Sequence, residues 1–177
     1  MILGERIRLR AIERADLPRF VAWLNDPEVR RGLQMYLPLS QAEEEQWYEE
    51  MLTRPVDQHP LTIEVITEDG WVPIGNCGLF GIDWRVRQAE FGIFIGDRPS
   101  WNQGYGTDAT RLMLQHAFET LNLNRIFLRV YENNPRAIRA YEKSGYVVEG
   151  RLRQAHYDEG AYYDVILMSV LRQDWQA

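Results

Sequence analysis

Trp101-Asn102-Gln103-Gly104-Tyr105-Gly106-Thr107-Asp108 follows a strand-like run, Ala89 to Ile95, and opens a helical pattern that continues to about Asn122. Two glycines one residue apart let the chain turn tightly and bring its backbone against a ligand. The helix start beyond them presents unpaired N–H groups and a partial positive charge. Strand, glycine bend and helix start in this order form an anion cradle. The same helix sets Met113, Leu114, Ala117, Phe118 and Leu121 on one face, so it packs on a core while its first turn faces a ligand.

A second cluster, Asn134-Pro135-Arg136-Ala137-Ile138-Arg139-Ala140-Tyr141-Glu142-Lys143-Ser144-Gly145-Tyr146, carries a side chain suited to proton transfer. Asn134 reads as a helix cap and Pro135 as the first turn. Tyr141 lies about two turns further on, so it shares a face with Asn134. A phenol with pKa near 10 is protonated at neutral pH and can donate.

Around these clusters strand and helix alternate without a linker. Arg6 to Ala11 reads as a half-buried strand, and Asp16 is expected to cap a helix with Leu17, Phe20, Val21 and Leu24 on its inner side, ending at Asn25-Asp26-Pro27. Ser40-Gln41-Ala42-Glu43 is a capping box for a helix carrying Trp47, Met51 and Leu52, which Pro55 ends. Leu61 to Ile66 and Trp71 to Phe80 flank Glu68-Asp69-Gly70 as an antiparallel hairpin. After Ala89 to Ile95 and the long helix come a strand, Arg125 to Tyr131, a helix from Pro135 and a strand from Tyr146. A turn at Asp158-Glu159-Gly160 and a strand, Tyr162 to Leu171, complete the order. The order predicts an α/β chain built on a mixed, mostly antiparallel sheet of about seven strands with helices on both faces.

The chain has 177 residues, 45% of them hydrophobic, which fits one compact domain over 1–177 with a sizeable core. Its formal charge of -6 argues against broad nucleic-acid binding. Cys77 is the only cysteine, so neither an intramolecular disulfide nor a thiolate zinc cluster is possible. No run is long enough to span a bilayer and no signal-like start is present, so a cytoplasmic setting is the default.

With the two motifs in place, the chain resembles the GNAT superfamily of acyl-CoA N-acyltransferases over nearly its whole length. It looks most like the branch holding the ribosomal-protein N-terminal acetyltransferases and the spermidine acetyltransferases. The superfamily's loop commonly opens with Gln or Arg where this chain has Trp101, and Trp is frequent there in that branch. The resemblance implies acetyl-CoA as co-substrate, with its pyrophosphate on Trp101, Asn102, Gln103, Gly104, Tyr105, Gly106 and Thr107, and no metal. It implies that the strand Ala89 to Gly96 splays from its neighbour, so that Ile93, Phe94 and Ile95 pair with the pantetheine arm and a Phe94 or Ile95 N–H meets the oxyanion. It further implies Asn134 and Lys143 beside the cofactor and Tyr141 as general acid. Gly92 and Gly96 fit a bulge, a close approach or ordinary strand irregularity.

The base is less defined. His156 aligns with a position where the ribosomal enzymes carry a catalytic glutamate, and imidazole suits proton transfer near pH 7. Glu90 at the start of the splayed strand is a second candidate, and Glu149 and Asp164 are others. His59 and His116 have no comparable setting. The loop Arg30 to Leu39, with Trp84, Tyr157 and Tyr162, is expected to border the acceptor groove. Glu43, Glu44 and Glu45 either attract a polyamine or form a solvated helix face.

The expected partners are acetyl-CoA and a primary amine, either a protein amino terminus, a polyamine, an amino acid or an antibiotic. A homodimer is left open, and no nucleic acid or membrane is expected. Two other classes compete: a catalytically silent acyl-CoA-binding module, and a nucleotide-binding protein. The second is disfavoured because no Gly-Lys-Ser/Thr follows the glycines.

Overall fold

The computed structural model of the chain describes residues 1–33 and 35–175. Among the described residues eight strands form one sheet: β1 Ile2–Leu3, β2 Ile7–Ala11, β3 Leu61–Thr67, β4 Gly70–Asp83, β5 Gln88–Ile95, β6 Arg125–Tyr131, β7 Val147–Asp158 and β8 Ala161–Leu171. The sheet order is β1-β2-β3-β4-β5-β6-β8-β7, and every neighbouring pair is antiparallel except β5 with β6. The eighth strand, beyond the seven expected, is β1; two residues are too short a run to show a period of two.

Turn chemistry explains the two hairpins. Thr67 pairs with Gly70, whose φ of +111° favours glycine. Asp158 pairs with Ala161 across Glu159 and Gly160, which both have positive φ, as a two-residue turn matched to strand twist requires.

The helices are α1 Leu17–Leu24, α2 Pro27–Arg30, α3 Gln41–Leu52, α4 Tyr105–Gln115 and α5 Pro135–Lys143. A π-helical turn, His116–Thr120, continues α4. The Ser40 capping box forms: the Glu43 N–H donates to Ser40 Oγ at 3.2 Å, and the Ser40 N–H to Glu43 Oε2 at 2.8 Å. Asp16 departs from its expected role as the cap of α1. Its carboxylate instead accepts the Glu13 N–H at 2.9 Å and both Arg10 amines at 2.7 Å, so a guanidinium outcompetes the helix amides.

Two apolar clusters cover the two faces of β5. Ala89 and Phe91 join β2, β3, β4, β6 and β8 residues under α4 and α5, including Met113, Leu114, Ala117, Phe118 and Tyr141, with Leu121 packed against them. Phe94, of opposite parity, packs with Phe20 and Trp23 in the cluster that α1 and α3 build with Leu17, Leu24, Tyr48 and Met51. Residues one apart on a strand face opposite sides, so helices lie on both faces. No helix among the described residues is long and apolar enough to cross a membrane.

Candidate active site

The chain leaves β5, passes Trp101 and enters α4 through two left-handed residues, Asn102 with φ +62° and Gly104 with φ +88°. Gly104 is the N-cap of α4, and no side chain caps the helix. The first intrahelical bond runs from the Asp108 N–H to the Gly104 carbonyl at 3.0 Å, so the amides of Tyr105, Gly106 and Thr107 have no helical acceptor. A Cβ added at Gly106 would meet nothing within 4 Å, so the start of α4 is open on that side. Arg6 braces the bend from β2's side: it reaches the Gln103 carbonyl at 3.2 Å and Asp108 at 2.5 Å.

Trp101 acts as a strut. Its indole Nε1 donates to the Ile95 carbonyl at 2.8 Å, and the Arg136 guanidinium lies 3.7 Å from the ring centroid. Arg136 thus brings a fixed cation to the loop from the first turn of α5. Sequence reasoning passed over both Arg136 and Arg6, because nothing local marks a cation that acts across elements. Lys143 sits exposed at the far end of α5, roughly 13 Å along the axis from Asn134, with its carbonyl accepting from Arg111 at 2.7 Å.

The strands part where the resemblance implies. β5 and β6 share three register pairs, Gln88 with Arg125, Ala89 with Ile126 and Glu90 with Phe127. Beyond Glu90, β5 continues alongside β4 as far as Ile95, while β6 continues with β8. Past this last rung the outer edge of β5, as far as Ile95, has no partner strand among the described residues. Backbone direction alternates along a strand, and the Gly96 N–H donates to Ile74 of β4 at 2.8 Å, so even-numbered residues turn their amides to β4. The Phe94 carbonyl likewise points there, 2.1 Å from where a side chain on Gly75 would begin. Phe94 is thus a correction: its backbone is committed to β4, and Ile93 and Ile95 face the gap. The Ile95 carbonyl is already taken by Trp101, which leaves the Ile93 groups and the Ile95 N–H.

Gly92 and Gly96 admit aromatic rings rather than a bulge. A Cβ on Gly92 would lie 2.9 Å from the Phe80 ring and one on Gly96 2.3 Å from Trp23, and the register irregularity falls between Phe80 and Asp83.

Tyr141 packs edge to face on Phe91, with centroids 6.4 Å apart, at the first residue past the last shared rung. It is buried, and burial pushes its phenol pKa up, so the proton stays on at neutral pH. Asn134 caps the same helix, accepting the Ala137 N–H at 3.2 Å.

The carboxylate candidates for the base are engaged elsewhere. Glu90 forms a two-pronged pair with Arg129 at 2.8 and 3.0 Å, which occupies both oxygens and corrects its expected role. Glu149 is held low by the Ser169 hydroxyl and Arg125, and Asp164 by the Gln154 N–H and Arg151. His156 differs. Its ring stacks on Tyr131 at 3.5 Å and 3°, and its Nε2 is buried without a hydrogen-bond partner among the described residues.

The first helices close over this end of the sheet. A Cβ on Gly32 would lie 3.0 Å from Asn134 Nδ2, and Arg31 pairs with Glu159 of the β7–β8 turn at 2.7 Å. The expected border loop, Arg30 to Leu39, contains Gln34, which lies outside the described residues. Trp84, Tyr157 and Tyr162 are exposed, and the two tyrosine rings lie 5.0 Å apart.

A family model described as an acetyltransferase (GNAT) domain matches residues 6–147. The chain belongs to the GNAT acetyltransferase family. Spermidine N(1)-acetyltransferase of Vibrio cholerae is 30% identical over 98% of this chain and 97% of its own length. The Escherichia coli enzyme of the same name is 30% identical over 97% and 89%. A crystal structure of the Vibrio cholerae spermidine acetyltransferase with CoA and spermine superposes with a TM-score of 0.87 at 28% identity, covering 97% of this chain and 98% of that one.

As a GNAT acetyltransferase the chain moves an acetyl group from acetyl-CoA to an amine, the thioester supplying an activated acyl carbon. The residues present fit that co-substrate: uncapped amides at the α4 N-terminus suit a pyrophosphate, and a free strand edge suits an amide-bearing arm.

Proposed function

We propose that the protein acetylates a primary amine by direct attack within a ternary complex, with a polyamine as the first acceptor to test. The observation that carries this reading is the parting of β5 from β6 directly beside an uncapped helix start, with a buried phenol at the point of parting. Support for a polyamine comes from the two spermidine acetyltransferases that match nearly the whole chain.

Amides of Gln103 to Thr107, with Arg136 nearby, hold the pyrophosphate. The Ile93 backbone and the Ile95 N–H pair with the pantetheine arm, and one of these N–H groups stabilises the tetrahedral oxyanion. A free alkylamine costs about 4 to 5 kcal/mol to keep neutral at pH 7, so a base is needed. His156 Nε2 takes that proton. The nitrogen then attacks the carbonyl carbon, the C–N bond forms, the C–S bond breaks, Tyr141 protonates the departing thiolate, and the second proton that the nitrogen sheds on becoming an amide restores the Tyr141 phenol. The cytoplasm is the setting taken for this reaction, no helix among the described residues being long and apolar enough to cross a membrane.

Thiol release with spermidine and with a short peptide carrying a free amino terminus tests the reading. Turnover with either supports it; binding of acetyl-CoA without turnover on any amine would favour the silent module. Tyr141→Phe is expected to lower kcat by roughly 10²- to 10⁴-fold, with little change in the KM for acetyl-CoA. An unchanged kcat across pH would remove Tyr141 from the acid role.

A further inference from the structure

We propose that Asn133 is an acceptor-binding residue, its side-chain oxygen and His156 Nε2 together taking N–H groups of the attacking primary amine. The inference rests on the acetylation reading above and names how its acceptor is held.

Asn133 Oδ1 and His156 Nε2 are both buried and both lack a hydrogen-bond partner among the described residues. Leaving a buried polar atom unmade costs about 1 to 3 kcal/mol, so two at one place call for a ligand that completes them. They are at one place because two cross-links join the same two segments. Tyr131 stacks on His156 at 3.5 Å, and two residues further along each segment Asn133 Nδ2 donates to Asp158 Oδ2 at 3.3 Å. The Asn134 N–H donates to the Tyr131 carbonyl at 2.9 Å, so residues 131–134 form a turn that keeps Asn133 beside the stacked pair.

The chemistry of the pair selects the ligand. A carboxylate only accepts, so Asp158 fixes the Asn133 amide with its NH2 outward to the carboxylate and its oxygen toward the orphan position. A neutral imidazole with its proton on Nδ1 also accepts at Nε2. Two acceptors recognise N–H groups rather than a carboxylate or carbonyl. A primary ammonium supplies three donors, one for each acceptor and one to spare. When the proton on the Nε2 side passes to His156, Asn133 still holds a second N–H and the freed lone pair can turn to the thioester.

The position suits the role. Asn133 immediately precedes Asn134, the cap of the helix that carries Tyr141, and the Arg31–Glu159 pair closes the same corner.

The test is steady-state kinetics of Asn133→Ser with spermidine and a free-amino-terminal peptide, varying amine and acetyl-CoA separately. Serine, with a shorter side chain, draws its oxygen back from the position of the Asn133 amide oxygen. The expected result is a KM for the amine raised roughly 10- to 100-fold, as for loss of a hydrogen bond to a charged group, with the KM for acetyl-CoA unmoved. The same loss is expected in Asn133→Ala, and acetyl-CoA must still raise Tm in both variants, which shows that they fold. An amine KM within twofold of wild type in either folded variant would overturn the proposal, as would equal rises in both KM values, which mark a purely structural role. Wild-type protein that acetylated no amine would overturn the functional reading itself, an outcome distinct from loss of amine affinity in a working enzyme.

Discussion

Glu43, Glu44 and Glu45 are neighbours in sequence with three different fates. Glu43 closes the capping box with Ser40, and Glu45 pairs with Arg14 on the surface. Glu44 shares a helical face with Tyr48 and Met51 and is only 5% exposed, with no hydrogen bond or ion pair to its carboxylate among the described residues. Desolvation lifts its pKa to about 7 from an ordinary 4.5. The native state therefore binds this proton more tightly than the unfolded chain does. Stability falls as pH rises through the window from 4.5 to 7, by about 3 kcal/mol at most. Below that window both states are protonated and the penalty is gone. Glu44→Gln should raise Tm at pH 8 by several degrees relative to wild type and lose that advantage near pH 4.5. Parallel melting curves at the two pH values check this, and a pH-independent difference would show that Glu44 carries no desolvated charge. Of the three residues, only the cap was legible, because a capping box is written in local spacing. Burial of one glutamate among charged neighbours depends on where α1 lies. Tyr141 and Asn134 were legible for the same local reason, as an Asn-Pro start and a two-turn interval. Glu90 was not, since its partner Arg129 is distant in sequence and adjacent only through the β5–β6 pairing.

At the scale of elements, the site is the point at which a strand changes neighbours. Ile93 and Ile95 turn their amides to the gap between β5 and β6, while the Phe94 amide is committed to β4 opposite Asn76. Amide hydrogen exchange should separate them. Without ligand the Ile93 and Ile95 N–H groups exchange quickly and Phe94 slowly; with CoA bound, Ile93 and Ile95 should slow markedly while Phe94 changes little. Equal protection of all three without ligand would mean that the edge is not open. The alternation of apolar residues shows that Ala89 to Ile95 is a strand but not which edge its amides face, because that requires knowing its neighbours. Elements with strong local signals, the two hairpins and α3 to α5, were legible to within a few residues. Others lacked any period to read: β1 has two residues and α2 four. β7 carries register shifts between Val148 and Gly150 and between Leu152 and His156, and nine of its twelve residues are exposed, so no alternation marks its face.

At the scale of the molecule, the sheet has two unequal parts, β1 to β5 and the trio β6, β8, β7, joined edge to edge by only three register pairs. Sequence order predicted the mixed sheet and its helices because strand and helix patterns alternate in a fixed order. The narrow join was legible only through resemblance, since pairing length is a tertiary property. A ligand that lies in the gap contacts both parts and the helix start above them, and it finds no such arrangement in the unfolded chain. Binding to the native state alone adds RT ln(1 + [L]/Kd), about 2.7 kcal/mol at a hundredfold excess over Kd. For a chain of this size each kcal/mol moves Tm by roughly 2 to 4 °C, so saturating acetyl-CoA or CoA should raise Tm by about 5 to 10 °C. ATP, which has phosphates but no pantetheine arm for the open edge of β5, should raise it far less. Thermal shift across a concentration series of all three ligands checks this. An equal response to ATP would locate binding in the helix start alone, and no response to acetyl-CoA would show that the parted strands do not receive it.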